Sequence, residues 1–395
     1  MFDDQVFIGR KKSMFEEDIE SSKKEIEFLL DGSSCLVVGG AGTIGGALTK
    51  ELFDRNLSKL HVVDISENNL VELVRDIRSS TGYMKGEFST FAIDAGSKIF
   101  ENLVNHHGPY DYVFNLSALK HVRSEKDPYT LMRMIDVNIF NTLNILEICS
   151  ENIKKYFCVS TDKATNPVNM MGASKRIMEM MLSKSEKRDI ISSARFANVT
   201  FSDGSLLSGF LSRFDKNQPI SAPRDVRRYF VSSKESGELC LMSSLFGVDM
   251  DIFFPILDQK KDPMTFSEIA KKYLELKGFS PIECESEDEA RSRNLSLIKE
   301  KKWGCYFFES ETTGEKQIEE FFSDESNPNL DKFKKIGIVK PSIEFDIEKI
   351  KTFKEKLSEF KTLGNWSKED LVMLFKELIP EFSHEEKGKN LDQKM

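Results

Sequence analysis

The stretch CLVVGGAGTIGGALTKELFDRN (35–56) decides the fold. Its first four residues are apolar without a polar break, which reads as a short strand buried on both faces. GALTKELFDRN (46–56) reads as a helix. Between the two, Gly39, Gly42 and Gly45 form G-x-x-G-x-x-G. Glycine there lets the turn tighten and lets backbone N–H groups approach a pyrophosphate at the helix N-terminus, where the dipole also favours negative charge. A second apolar strand, LHVVDI (60–65), ends on Asp64, placed to accept a hydrogen bond from an adenosine ribose hydroxyl. Strand, turn, helix and acid in this order specify a dinucleotide site, with Thr43 and Ile44 beside the glycines as further contacts. A carboxylate at 64 repels a 2′-phosphate and so favours NAD; NADP stays open through a nearby basic side chain.

Outward from this unit the pattern repeats. FSTFAID (88–94), DYVFNLSA (111–118) and YFCVS (156–160) read as further strands, with a long helix over 131–149 before the last. Strands alternating with helices specify an α/β protein with a doubly wound parallel sheet. Ahead of it, Phe15, Ile19, Ile26 and Leu29 recur at helical spacing until Gly32. Past residue 210 the rhythm breaks into shorter mixed pieces, the expected smaller lobe, and the acidic, lysine-rich 283–302 reads as a solvated helix or loop. Two helices close the chain. One carries the stripe Ile347, Ile350, Phe353, Leu357 and Phe360; the other opens with a capping box, Ser367 and Asp370, and a staple, Trp366 and Leu371. Both are expected to pack on the body or on a neighbouring subunit, with fraying from His384 onward. The expected divisions are an N-terminal helical extension (1–32), a nucleotide-binding domain (33–208), a lobe with strands returning to that domain (209–310) and a C-terminal helical extension (311–395).

Composition narrows the partners. The chain has 395 residues, 39% hydrophobic and 31% charged, with net charge -9 and both signs interleaved. That is an ordinary globular balance and argues against nucleic acid as a partner. The six cysteines show no paired spacing, which points to a reducing compartment. The five histidines show no metal spacing, so no metal is expected. No apolar signal core and no run of membrane-spanning length occurs, so the expectation is a cytoplasmic protein without a membrane span.

Several ordered segments carry a family resemblance. The glycine spacing is that of extended short-chain dehydrogenase/reductases, which implies a Rossmann sheet with a mixed α/β substrate-binding lobe. NLSALKHV (115–122) and VSTDKATNPVNMMGASK (159–175) resemble the fourth-strand and active-site segments of the polysaccharide-biosynthesis nucleotide-sugar 4,6-dehydratases. RFANV (195–199), SDGSL (202–206) and RRYFV (227–231) resemble their substrate-lobe motifs, and FIGR (7–10) their lead-in. The resemblance is nearest to the C5-retaining UDP-N-acetylglucosamine 4,6-dehydratases, in a soluble form. Two positions depart from the wider pattern. Asn141 stands where Asn-x-x-Gly-Thr after the fourth strand has glycine, and Met171 stands where short-chain dehydrogenases place a tyrosine four residues before Lys175. Methionine accepts no proton, and in the retaining dehydratases it is the expected residue.

Thr161, Asp162 and Lys163 follow the fifth strand, at the carboxyl edge where ligands of this fold bind, and offer a hydroxyl, a carboxyl group and an amine. Away from such a strand the same tripeptide is a solvated turn. The resemblance implies that Asp162 protonates the departing C6 hydroxyl, Lys163 removes the C5 proton and Thr161 bonds the C4 oxygen. It implies that Lys175 binds the nicotinamide ribose, where the alternative is an exposed helix lysine. Asp94, Ala118, Lys120 and Asn138 are further cofactor candidates; Lys120, His121, Asn198 and Arg228 are substrate candidates. His121 is otherwise a structural histidine and Arg228 a surface ion-pair residue. The implied activity is dehydration of a UDP-N-acetylhexosamine, most readily UDP-N-acetylglucosamine, for surface glycan biosynthesis. A 4-epimerase on the same fold and a non-catalytic NAD(P)-binding sensor are the alternatives. A homo-oligomer is expected, with helices 131–149 and 173–184 pairing between subunits.

Overall fold

The computed structural model describes residues 4–258, 261–310, 320–323, 326–341 and 347–384. After a 3-10 turn at Asp4–Ile8, α1 (Glu16–Leu30) leads to β1 (Ser34–Val38), α2 (Thr43–Phe53), β2 (Lys59–Asp64) and α3 (Glu67–Ser80). The alternation continues through β3 (Glu87–Ala92), α4 (Lys98–His107), β4 (Tyr112–Asn115), α5 (Pro128–Ile135) and α6 (Thr142–Ile148). It ends with β5 (Lys155–Thr161), α7 (Met170–Ser183) and β6 (Ile191–Phe196). Shorter pieces follow: β7 (Asn198–Val199), α8 (Leu206–Asp215), β8 (Ile220–Pro223), β9 (Arg227–Arg228), β10 (Phe230–Val231), α9 (Ser233–Phe246) and β11 (Asp251–Pro255). Then come β12 (Met264–Thr265), α10 (Phe266–Leu276), β13 (Ser280–Glu283), α11 (Glu287–Lys299) and β14 (Lys302–Phe308). The last elements are β15 (Ile336–Val339), α12 (Ile347–Leu363) and α13 (Lys368–Leu378).

The main sheet has eight strands in the order β15-β11-β6-β5-β4-β1-β2-β3. All pairs are parallel except β11–β15, where Ile252 faces Val339. The run CLVV is apolar throughout because both sides are covered. Cys35 and Val37 join Leu48, Leu52 and Leu239 on one face; Leu36 and Val38 join Phe100, Ile145 and Met178 on the other. Strand order reverses between β1 and β4, which opens a crevice at their carboxyl ends, where α/β sheets hold ligands. The smaller lobe packs α8, α10 and the three-stranded β13-β14-β8 sheet around Phe210, Tyr273 and Trp303.

Three features differ from the sequence reading. The single helix over 131–149 is interrupted by a π-turn at Asp136–Asn141 that separates α5 from α6. The section after 310, read as helical, also supplies β15 to the main sheet. Helices α5 and α7, expected to pair between subunits, bury apolar positions such as Leu131, Ile135 and Ile177 against Phe353, Leu357, Leu374 and Phe375 of this same chain. The C-terminal hairpin therefore occupies their outer face. Its capping box is present: Ser367 and Asp370 bond each other's backbone N–H. His384 is not frayed; its Nε2 lies 3.0 Å from the buried Glu125 carboxylate. Residues 385–395, expected to fray with it, lie outside the described residues.

Candidate active site

The crevice divides at the glycine turn into two connected halves, of about 470 Å3 and 280 Å3. The three glycines have different reasons. Gly39 has φ +75°, and a Cβ there would lie 2.6 Å from the Ser117 amide nitrogen. A Cβ on Gly45 would collide with the Gly39 carbonyl. Both are required by the packing of the turn itself. Gly42 is not: it caps α2 with φ −74°, and its nearest neighbour to a Cβ is 3.7 Å away. It lines both halves of the crevice, so what its missing side chain leaves open is the approach to the helix N-terminus. That is the cradle a pyrophosphate needs, and the residues present fit a dinucleotide.

The larger half is bordered by Asp64, Asp94, Gly96, Arg133 and Asn141. Asp64 is held rigidly at the end of β2, with one oxygen accepting from Ala41 N (2.9 Å) and the other from Ser66 N (2.9 Å). Asn141, which replaces the usual glycine, lies against Gly96; a Cβ on Gly96 would come within 2.7 Å of its amide. The smaller half holds Thr43, Ile44, Gly45, Lys120, Thr161, Lys163, Met171, Lys175 and Asn198. Ala118 borders both halves.

The turn after β5 is tightly built. Thr161 Oγ1 donates to Asp162 Oδ1 (2.9 Å), and Lys163 Nζ donates to the same oxygen (3.0 Å). Asp162 is 1% exposed, and its Oδ2 is buried with no hydrogen-bond partner among the described residues. Behind the turn a buried network fixes it. Arg195 donates to both Glu179 oxygens (3.0 and 2.6 Å) and to Thr165 Oγ1 (3.0 Å), while Ser160 Oγ donates to Glu179 (2.6 Å). Burial alone would raise the Glu179 carboxyl; Arg195, Arg176 and Ser160 outweigh it and hold it below its usual range. Lys175, one turn of α7 past Met171, is buried with Nζ 3.8 Å from Met178 Sδ. Burial pushes its amine down to about 8, against the pull of Cys158 and Glu179. Lys120 stands exposed at the crevice rim; desolvation by the surrounding wall lowers its amine, opposed by Asp203.

Four of the sequence candidates do not stand in the crevice wall. Asn138 is fully buried in the π-turn; it accepts from Leu119 N (2.9 Å) and donates to Leu119 O (3.0 Å) and Ser174 Oγ (2.9 Å). It reaches the crevice only through the chain it holds. Asp162 sits under Lys163. His121 faces Gly204, where a Cβ would come within 2.8 Å of its Nε2. Arg228 is buried in β9 and donates to the Arg227 carbonyl (2.9 Å). Conversely, Asp203 was missed. Its amide donates to Thr43 Oγ1 (3.0 Å), which ties the segment before α8 to the glycine turn. The signal was the Asp-Gly pair of SDGSL, since Gly204 takes φ +69°. Arg133 was missed as well, and no local pattern marks it. Away from the crevice, His61, Glu87 and His107 bring ligand-type atoms within 4.8 Å of one another. Both ring nitrogens of His61 are already bonded, to Tyr110 OH (2.8 Å) and Glu87 (2.7 Å), while the His107 ring packs edge-on against His61.

Comparison with known proteins places this arrangement. The profile of a family described as polysaccharide biosynthesis protein matches residues 35–341, from β1 through β15. The chain belongs to the polysaccharide biosynthesis protein family. Among relatives, an uncharacterized membrane protein of Methanocaldococcus jannaschii is 28% identical over 80% of this chain and 89% of its own. The capsular polysaccharide biosynthesis protein CapD of Staphylococcus aureus is 30% identical over 63% of this chain but only 41% of its own, so the chain spans less than half of that protein. A UDP-N-acetylglucosamine 4,6-dehydratase (inverting) of Campylobacter jejuni and a UDP-glucose 4-epimerase of Rickettsia felis are each 28% identical, over 59% and 62% of this chain and 70% of theirs. This polysaccharide biosynthesis family thus reaches both nucleotide-sugar dehydratases and epimerases. The fold matches that of Pen from Bacillus thuringiensis (TM-score 0.62, 20% identity, 80% of this chain and 90% of that one). It also matches WbmF of Bordetella bronchiseptica, solved with NAD+ and UDP (TM-score 0.50, 18% identity, 63% and 78%). Among the described residues of this family member, no helix is long and apolar enough to cross a membrane.

Proposed function

We propose that the chain is a nucleotide-sugar 4,6-dehydratase that uses NAD and acts on a UDP-N-acetylhexosamine, UDP-N-acetylglucosamine first. The observation that carries this reading is the meeting of Thr161 and Lys163 with Met171 and Lys175 along the smaller half of the crevice. An epimerase of this superfamily relies on a tyrosine where Met171 stands; an elimination needs a base and an acid instead, and the turn after β5 supplies an amine and a carboxyl group.

Gly42 and the N-terminus of α2 would hold the pyrophosphate of the dinucleotide, Asp64 its adenosine ribose and Lys175 its nicotinamide ribose. When bound, the nicotinamide supplies oxidation at C4 and reduction at C6 with no net consumption. Thr161 bonds the C4 oxygen, and the resulting ketone acidifies the C5 proton. Lys163 removes that proton and returns one to C5 when C6 is reduced after water has left. Asp162 serves the departing C6 hydroxyl; its buried side chain lies behind Lys163, so it has to turn outward as the sugar enters, and its Oδ2 has no hydrogen bond to give up among the described residues. Met171 supports retention at C5, which proton NMR of the product reads. The six thiols, all buried and unpaired, suit a reducing cytoplasm.

Mass spectrometry of UDP-N-acetylglucosamine after incubation with the protein and NAD+ tests the proposal: the sugar loses the mass of one water. A product of unchanged mass but altered C4 configuration would favour the epimerase reading, which the Rickettsia relative keeps open. Cofactor binding with no change in any UDP-, GDP- or dTDP-sugar would leave a sensor.

A further inference from the structure

Helix α7 carries Met171 and Lys175 in its first turns, and the amides of Met170, Met171 and Gly172 are each held by a side chain outside the helical bonds. The first four N–H groups of a helix have no partner inside it. Here Gly172 N donates to the Asn169 side chain (2.8 Å), and Ala173 N closes the first helical bond to Asn169 O (3.0 Å). The amides of Met170 and Met171 converge on one carboxylate oxygen, Glu125 Oε1, at 2.7 and 3.3 Å. Glu125 lies far away in sequence, in the 3-10 turn Val122–Lys126 that follows Lys120 and His121. Its other oxygen takes His384 Nε2 at 3.0 Å, and both side chains are buried. His384 follows α13, whose Leu374, Phe375 and Leu378 pack with Met170, Ile177 and Met181 of α7. A negative charge at a helix N-terminus is also favourable to the dipole.

We propose that Glu125 is a positioning residue for the active site and that His384, at the end of the C-terminal hairpin, fixes it there. This rests on the function proposed above only for its kinetic readout. The carboxylate joins three parts of the molecule at one point: the segment bearing Lys120, the helix bearing Met171 and Lys175, and the C-terminal hairpin. Removing the imidazole leaves Glu125 free to turn, and the first turn of α7 then loses the acceptor of two amides. Met171 and Lys175 stay on the helix but lose their setting against Lys163.

Acylation of lysines by acetic anhydride, followed by peptide mass spectrometry of the full-length protein with no ligand, gives a readout independent of the substrate. Lys155, whose ammonium bonds the Gly247 carbonyl (2.6 Å) at the opposite edge of the sheet, is the internal reference. In His384→Ala the Lys175 acylation rate rises about tenfold relative to Lys155. With UDP-N-acetylglucosamine kcat falls about tenfold while KM stays within about twofold, since small displacements of reacting groups cost rate rather than binding. His384→Gln, which can still donate to Glu125, restores both, and Glu125→Ala, which deletes the acceptor of both amides, reproduces the loss. Unchanged Lys175 protection in His384→Ala and Glu125→Ala would overturn the proposal. So would a rise at Lys155 equal to that at Lys175, because it reports general loosening. A wild-type protein with no turnover of any nucleotide sugar, but with Lys175 deprotected by these substitutions, would sink the assigned reaction and leave the positioning role standing.

Discussion

Asp162 and Lys163 share one hydrogen bond yet face different surroundings, and the proposed division of labour follows from that. Lys163→Met removes the C5 base, so solvent deuterium no longer enters C5 and dehydration drops by about 10²–10⁴-fold. Asp162→Asn keeps C5 exchange while slowing water loss by a similar factor; near-normal dehydration in both variants would return the turn to a structural role. Asp64 supports a second expectation. Its two oxygens are already oriented by Ala41 and Ser66, so it can accept from a ribose diol without rearranging. Asp64→Asn should weaken NAD by about 1.5–3 kcal/mol, the usual worth of a charged hydrogen bond, and narrow the gap to NADP, as calorimetric titration would show. The glycines and Asp64 were legible from sequence because strand, turn and helix leave them one place to go. The rear position of Asp162 was not: a tripeptide after a strand fixes which residues reach the carboxyl edge, but not which side chain turns under its neighbour. Asn138 misled for a related reason, since an amide that can bond a ligand bonds a buried backbone equally well.

Among the elements, α7 and the turn after β5 depend on the Arg195–Glu179 pair. Both partners are buried, and Arg195 also holds Thr165 and the Phe321 carbonyl. Arg195→Met leaves the Glu179 charge in the core without its main partner, which should cost about 3–5 kcal/mol. Urea denaturation measures this, and adding Glu179→Leu should recover most of the loss; a single variant as stable as wild type would show that the pair is dispensable. The strands were legible because burial on both faces leaves an unbroken apolar run. The π-turn at Asp136–Asn141 was not, since α-helical and π-helical turns share the same apolar spacing at this length. Of the apolar stripe of α12, Phe353 and Leu357 are buried with residues of α5 and α7, Ile350 and Phe360 are partly covered and Ile347 is exposed; which surface the stripe meets is a matter of reach that periodicity does not encode.

At the scale of the whole molecule, the N-terminal segment is fastened to α9. Arg10 pairs with Glu235 (2.6 Å), Met14 N donates to Glu235 (2.9 Å), and Ser13 Oγ donates to Glu238. Burial pushes the Glu238 carboxyl up to about 7, with Ser13 and Lys234 opposing. A carboxyl raised on folding stabilises fully below its unfolded value of 4.5, and that contribution is lost as pH rises through about 7. Glu238→Gln should therefore leave stability at pH 4 nearly unchanged and add about 2–3 kcal/mol at pH 8, visible as a higher Tm only on the alkaline side. Equal shifts at both pH values would mean that the Glu238 carboxyl titrates alike in the folded and unfolded chain. The placement of β15 bears on how the chain leaves the ribosome. The sheet stays unfinished until residue 339 has emerged, although its seventh strand ends at Pro255. For the intervening stretch of synthesis β11 offers Ile252, Phe253 and Phe254 along an unpaired edge, the kind of template on which nascent chains associate with one another. Translation that stalls or terminates in this interval should yield sticky products that need a chaperone, whereas release after β15 closes the edge with the chain's own backbone.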